Sequence, residues 1–384
     1  MQGASWTAPT RAGRRLRVVL VGTVFFSLGA SSLPVFPSEP GAANDGTSGK
    51  AGGWVRTPTG EGTRCALGSP YSFFHREGTD PAKLLIYFQG GGACWNWVSC
   101  SGMFDPSVDD DELGDYAGIF DAGNPENPFR EFAIVFIPYC TGDVHVGDTL
   151  RSYGDDPDAA PVAHRGYRNV TAVLDRLSAW DRQPDTVVVV GASAGAYGAL
   201  FHAPAVARRF PRARIVMIGD SGVPLLHDPP AVLETWNGIS SLRRIWKHEP
   251  SDNAASHPLR EAYRQAALEG SRLRTAQITS NHDAIQGAFY LISGSHEWRT
   301  ATYALLEEAR RIDPTFRSFL VEGADHGLLR TDRFYEYAAD GVRLRDWIAG
   351  LVGGEKVDDV RCATCNLEAS GGEGPAAERD AGTR

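Results

Sequence analysis

Thr186-Val187-Val188-Val189-Val190-Gly191-Ala192-Ser193-Ala194-Gly195 is the stretch from which the rest of the sequence is read. Four consecutive valines are apolar on both sides of an extended chain, as in a strand of a parallel sheet covered on both faces. G-x-S-x-G follows at once, and Ala194–Arg209 reads as a helix. In a strand–turn–helix setting this motif puts a serine on a sharp bend whose neighbours must be small. The hydroxyl then stands above the sheet at a helix N-terminus, where the dipole favours developing negative charge. The alternative is a close-packed strand–helix junction without chemistry.

Working outward, the runs Leu84–Phe88, Ala133–Pro138, Ile215–Gly219 and Phe316–Val321 read as further strands, with another candidate at Thr275–Thr279. Tyr167–Trp180, Trp298–Arg311 and Asp332–Leu351 read as helices between or after them. Strands alternating with helices of this length predict an α/β fold, a mostly parallel central sheet with helices on both faces and right-handed crossovers. Residues 224–272 are polar and irregular and are expected to form an inserted cap region. No internal repeat is visible.

The chain has 384 residues, of which 42% are hydrophobic, enough for a substantial core. Its 38 Lys+Arg against 47 Asp+Glu give a net charge of −9, which argues against a nucleic-acid partner, since phosphate contacts need a basic face. Residues 1–30 carry Arg11, Arg14, Arg15 and Arg17, then an apolar run and small residues, the order of a secretory signal peptide. The apolar part falls short of the roughly 20 residues of a spanning helix, although an uncleaved N-terminal anchor is the alternative. Residues 31–53 read as a flexible linker, 54–366 as the folded domain and 367–384 as a disordered tail. Six cysteines behind a leader point to disulfides. Proximity suggests Cys94 with Cys100 and Cys362 with Cys365, leaving Cys65 with Cys140 by elimination. A zinc site at the single C-x-x-C is the competing reading.

A serine nucleophile needs a base, and the base needs an orienting acid. In α/β-hydrolases these follow in the order Ser, Asp/Glu, His. His282, His296 and His326 lie far enough downstream, and His326, in Gly323-Ala324-Asp325-His326-Gly327 directly after a late strand, is the expected base. Asp283 and Asp220 each end a strand and compete as the acid, with Asp283 favoured; Asp325 adjoins the histidine and should point elsewhere. Leu84–Phe88 runs into Gln89-Gly90-Gly91-Gly92-Ala93-Cys94-Trp95-Asn96, where glycines would let backbone N–H groups reach a substrate oxygen together with the N–H of Ala194. A phosphate loop is the rival, but neither G-x-G-x-x-G nor a P-loop Lys-Ser/Thr is present. Asp143-Val144-His145 with Asp148 could in isolation suggest a metal site, but a turn whose carboxylates bond local amides is the preferred reading and no metal is assigned.

Four segments together carry a resemblance: Gly90-Gly91-Gly92-Ala93-Cys94-Trp95-Asn96, Pro138-Tyr139-Cys140-Thr141-Gly142-Asp143-Val144-His145-Val146-Gly147-Asp148, His164-Arg165-Gly166-Tyr167-Arg168-Asn169, and Gly191–Gly195. In this order they resemble the pectin acetylesterase/Notum family, closest to its bacterial branch, over roughly residues 55–350. The resemblance implies an exported α/β-hydrolase-like serine carboxylic-ester hydrolase that needs no cofactor. It implies Ser193 as nucleophile, Asp283 as acid, His326 as base and Gly91, Gly92 and Ala194 as oxyanion donors. An acylated carbohydrate or other small ester is the implied substrate, with no membrane partner beyond the N-terminal segment. The rivals are a Notum-like deacylase of lipid or protein esters and a non-catalytic binding member of the fold. Trp95 and Trp97 flank the glycine loop and are candidate substrate contacts or ordinary core. Two positions depart from the family pattern: Gly92, where a larger residue is common, and Ala196, where a third elbow glycine is common.

Overall fold

The computed structural model describes residues 53–365, except 110–111, 155–159, 181 and 225–228. In chain order the strands are β1 (Val55–Pro58), β2 (Ser72–Arg76), β3 (Lys83–Phe88), β4 (Ala133–Ile137), β5 (Thr149–Arg151), β6 (Val162–His164), β7 (Thr186–Ala192), β8 (Arg214–Asp220), β9 (Leu273–Ser280), β10 (Arg317–Val321), β11 (Ala338–Ala339), β12 (Val342–Arg343) and β13 (Val360–Arg361). Nine of them form one sheet in the order β1-β2-β4-β3-β7-β8-β9-β10-β13. β1, β2 and β4 pair antiparallel; every neighbour pair from β4 to β13 is parallel. The valine run is the middle of that sheet, and Val187–Val190 have no exposed surface. Continuous β-branched residues suit this position because both faces of β7 are covered.

The helices are α1 (Trp97–Cys100), α2 (Gly166–Ser178), α3 (Ala194–Arg209), α4 (Pro229–Thr235), α5 (Gly238–Ile245), α6 (Pro258–Ala267), α7 (Ala284–Ile292), α8 (Trp298–Ile312) and α9 (Leu344–Gly353). They cover both faces of the sheet, giving an α/β-hydrolase-like architecture. α3 is buried along nearly its whole length, against β7 and β8. Its Ala- and Gly-rich sequence lets the helix approach the sheet closely.

Two expectations change. The stretch 332–351 is not one helix: a short 3-10 turn at Asp332–Tyr335 is followed by the β11–β12 hairpin before α9 begins. Asp340 (φ 49°) and Gly341 (φ 74°) are both left-handed, the Asp-Gly signature of a tight hairpin turn. Residues 224–272 are largely helical rather than irregular, and α4–α6 bury Leu233, Trp236, Leu242, Ile245 and Tyr263. Most of their large apolar residues are buried, so average polarity hid the pattern. The leader 1–30, the linker 31–53 save its last residue, and the tail 367–384 lie outside the described residues.

Three disulfides are present, Cys65–Cys140, Cys94–Cys100 and Cys362–Cys365. The first ties the segment before β2 to the end of β4; the second closes the glycine loop over α1. Among the described residues, no helix is long and apolar enough to cross a membrane.

Candidate active site

Ser193 sits between β7 and α3 with φ 55° and ψ −126°, a conformation that L-residues seldom adopt. Its N–H donates to Asp220 O of the neighbouring strand at 2.8 Å, and its carbonyl accepts from Ala196 N at 2.9 Å. The bend leaves no room beside it. A Cβ at Gly191 would overlap the carbonyl of Gly195, and one at Gly195 would overlap the carbonyl of Phe88. One at Gly90 would lie 2.7 Å from Ser193 Cβ. The glycine spacing of the motif is thus a steric requirement of the turn. Ser193 is 9% exposed, so the turn is embedded but not sealed from solvent.

His326 and Asp283 come together at the ends of β10 and β9. His326 Nδ1 lies 2.9 Å from Asp283 Oδ2 and 3.0 Å from Oδ1. A carboxylate only accepts, so Nδ1 carries the proton and Nε2 is left as the basic nitrogen. Asp283 is also the N-cap of α7: Oδ1 accepts from Ile285 N and Gln286 N at 3.0 and 2.9 Å, and Gln286 Nε2 donates to Oδ2 at 2.9 Å. The carboxylate of Asp283 is therefore held by its helix as well as by the imidazole. Gln286 was missed in the sequence, although Asp283-x-x-Gln286 has capping-box spacing. His282 and His296 are exposed.

Asp220, the rival acid, is otherwise engaged. It is fully buried, its Oδ1 accepts from Leu328 N (3.0 Å) and Ser221 Oγ (2.8 Å), and its Oδ2 accepts from Leu329 N (3.0 Å). Burial raises its carboxyl above the ordinary range against the pull of these bonds. It pins the loop just after His326 to the strand beside Ser193. Asp325 turns away to Arg333 and Tyr337. Among the described residues no hydrogen bond joins Ser193 to His326. Ser193 and His326 follow β7 and β10, at the carboxyl ends of parallel strands of the same sheet.

The glycine loop crosses in front of Ser193. Ala93 N bonds Met103 O and Asp105 N bonds Gly91 O, both at 3.3 Å, making a bridge between Gly92 and Phe104. In an antiparallel pair whose flanking residues exchange the bonds, the central residue turns its own N–H away from the partner strand. Gly92 N–H accordingly points off the Met103–Asp105 segment. Gly92 (φ 78°) admits no side chain here, because a Cβ would overlap the carbonyl of Met103. Ala194, at the start of α3, presents a first-turn N–H that the helix itself leaves unbonded.

Trp95 packs against Phe289 of α7 with ring centroids 6.4 Å apart, while Trp97, at the start of α1, is 58% exposed. Beside them stand Val98, Ile285, Leu291 and Ile292, all exposed. α7 buries only Gln286 and Tyr290, so its apolar surface opens next to Asp283. The sequence reading had no α7.

Asp143 and His145 lie inside the protein, in a hydrogen-bonded turn. Thr141 Oγ1 donates to Asp143 Oδ1 at 2.6 Å and Gly166 N donates to Oδ2 at 2.8 Å. Burial pushes the Asp143 carboxyl up to about 6 and the His145 imidazole down to about 3. Asp148 faces away and gathers Arg165, Arg168 and Arg244.

A family model described as pectinacetylesterase matches residues 52–260, which include the glycine loop, the Asp143–Asp148 turn and Ser193 but neither Asp283 nor His326. The chain is also 28% identical over 171 residues to the human palmitoleoyl-protein carboxylesterase NOTUM, covering 41% of this chain and 34% of that protein. It is 28% identical over 166 residues to the Schmidtea mediterranea protein of the same name (40% and 30%), and 25% identical over 151 residues to Xenopus laevis notum2 (37% and 30%). The match thus spans about a third of the length of these curated relatives. With more than half of its residues matched by one family model, the chain belongs to the pectinacetylesterase family.

Proposed function

We propose that this protein is an exported serine carboxylic-ester hydrolase that removes a small acyl group, acetyl above all, from a carbohydrate. The observation that carries the reading is the hydrogen-bonded Asp283–His326 pair at the carboxyl ends of the sheet whose central strand leads into a serine at a strained positive-φ bend. Ser193 Oγ attacks the ester carbonyl carbon as its proton passes to His326 Nε2. The carbonyl oxygen becomes an oxyanion, held by N–H groups of Ala194, Gly91 and Gly92. The C–O bond to the alcohol then breaks, and the Nε2 proton goes to the departing oxygen. Water repeats the sequence on the acyl-enzyme, giving carboxylic acid and free serine. Asp283 keeps the proton on Nδ1 and stabilises the imidazolium. The Ser193–His326 contact is expected to form when substrate enters, as such bonds often tighten only in the complex. Three disulfides suit an oxidising compartment outside the cytosol and support export. The family description supports an acetyl ester as substrate.

A second reading, a longer acyl chain, is favoured by the apolar face of α7 beside Trp95. The relatives named palmitoleoyl-protein carboxylesterase lend it weight. Ser193→Ala in the otherwise intact chain should abolish turnover of p-nitrophenyl acetate with the fold retained; full activity would remove the serine mechanism. Rates across a series of p-nitrophenyl esters separate the two readings, since a maximum at the long chains would displace acetyl.

A further inference from the structure

The turn Asp143–Asp148, left over once Ser193, His326 and Asp283 are placed, reaches the glycine loop through one side chain. His145 Nε2 lies 2.8 Å from the carbonyl oxygen of Gln89, the residue before Gly90-Gly91-Gly92. A carbonyl only accepts, so Nε2 carries the proton and His145 is the donor. Gln89 is held at its other polar groups too. Its N–H donates to Ile137 O at 3.0 Å, and its Oε1 accepts from Tyr139 N at 2.8 Å. The peptide that leads into Gly90 has its direction set by these three bonds.

The imidazole is clamped. It packs edge-on to Phe88 at 5.2 Å and against Tyr139 at 4.8 Å between ring centroids. It also lies on α3 where that helix has Gly198, at which a Cβ would come 2.7 Å from His145 Cδ2. One turn further along α3, His202 Nε2 donates to the His145 carbonyl at 3.0 Å. Ala194, Gly198 and His202 follow at i, i+4 and i+8, the spacing of one helix face. His145 thus stands between the two sources of oxyanion donors, the glycine loop and the N-terminal turn of α3.

The turn that delivers it is costly. Val144 (φ 46°) and His145 (φ 66°) are consecutive non-glycine residues in left-handed conformations, the first of them β-branched. Such a conformation persists only where its surroundings impose it. Here the Asp143 carboxylate and the Tyr139 hydroxyl impose it: Asp143 Oδ1 accepts from His145 N, and Tyr139 Oη accepts from Val144 N at 2.9 Å.

We propose that His145 is a positioning residue for ester hydrolysis: through its Nε2–H bond to Gln89 it aims the N–H groups of Gly91 and Gly92 at the oxyanion formed on attack by Ser193. The proposal rests on the serine-hydrolase reading above. It predicts a defect confined to the transition state, because the bond orients donors without touching the ground-state ester.

The test compares His145→Phe, which keeps a ring but lacks the donor, with His145→Gln, which restores an N–H. For p-nitrophenyl acetate, kcat of His145→Phe should fall about 10²-fold, the scale of a small misplacement of catalytic groups. KM should stay within about threefold. The inhibition constant of phenylboronate, whose tetrahedral adduct puts an oxygen in the oxyanion position, should rise in parallel, and His145→Gln should recover most of both losses. A kcat within about threefold of wild type, or an unchanged boronate constant beside a lowered kcat, overturns the proposal. If His145→Phe fails to fold, Gly198→Ala takes its place: it displaces the ring while leaving the histidine, and must lower kcat and weaken boronate together or the proposal fails. Ser193→Ala is assayed alongside. Turnover surviving in that variant sinks the serine reading itself, whereas an inactive Ser193→Ala beside a normal His145→Phe sinks only the role of His145.

Discussion

Acidification should unfold this protein through imidazoles that have no access to solvent. His145, His164 and His202 are buried. Burial holds their imidazoles down at about 3, 4 and 4 respectively. Each donates to a backbone carbonyl, of Gln89, Thr141 and His145 in turn. In the unfolded chain each titrates near 6.5, so below that pH the unfolded state takes up protons that the folded state refuses. Their contribution is complete above about 6.5 and is lost as pH falls toward 4. Asp143 works in the opposite sense. Its carboxyl is raised to about 6, so the folded state binds its proton first, and its contribution is present below about 3.8 and lost as pH rises through 6. His75, lowered by burial, and Asp220, raised by burial, oppose each other in the same two directions. From pH 7 to pH 5 the three buried imidazoles withdraw ~2 kcal/mol each and Asp143 returns ~1.4, a net loss of ~4–5 kcal/mol. That approaches the whole stability of a weakly stable domain, typically about 5–15 kcal/mol. Urea unfolding followed by tryptophan fluorescence at pH 7, 6 and 5 measures it. His202→Gln should flatten the dependence by about one proton, ~1.4 kcal/mol per pH unit. Stability constant within ~1 kcal/mol over this range, or a His202→Gln slope equal to wild type, would refute the linkage argument.

Exchange of the two carboxylates separates their tasks. Asp283→Asn should cut kcat by about 10⁴-fold by misorienting His326. Asp220→Asn sets an amide N–H against a backbone N–H of the 328–329 segment and should cost ~2 kcal/mol of stability, with a far smaller kinetic loss; equal kinetic losses would contradict the assignment. Gly92→Ala has neither space nor a suitable φ, and thermal melting should show ~1–3 kcal/mol of strain together with loss of esterase activity. Removing Cys65–Cys140, whose partners are 75 residues apart, should cost ~4.5 kcal/mol in chemical denaturation. Removing Cys94–Cys100, with a separation of 6, should cost ~2.4 kcal/mol.

What could be read without coordinates was local. Val187–Val190 announces a central strand because its environment is uniform, and G-x-S-x-G announces the bend because each glycine answers to an atom a few residues away or on the adjoining strand. The β11–β12 hairpin lay in the letters Asp340-Gly341 but was overridden by the apolar periodicity around it. The preference for Asp283 over Asp220 had little local support, since one lies just past the end of a parallel strand and the other at the end of one. They are told apart by partners 43 and 108 residues away, His326 for one and Leu328 N–H for the other. The same holds for the Asp143–Asp148 turn, whose residue types fit a metal site until Gln89, 56 residues distant, is placed against His145.

One arrangement recurs across the sheet edge. Asp143, Asp220 and Asp283 are all buried and each accepts from backbone N–H groups: Asp143 from His145 and Gly166, Asp220 from the 328–329 segment after His326, Asp283 from the first turn of α7. Burying a carboxylate costs free energy unless hydrogen bonds replace its water, and backbone amides are the donors a loop supplies without a second charge. Arginine partners would have neutralised these sites but would also have placed cations under the glycine loop and beside the imidazole. A cation there would repel the positive charge that the proposed mechanism develops as the serine proton is taken up. Amide pairing holds the loops rigid while leaving the charge near the imidazole negative, which favours the imidazolium formed when the serine proton arrives. On this argument Asp220→Asn lowers kcat/KM by loosening the loop that follows His326 and by removing a negative charge that favours the transition state of the proposed mechanism.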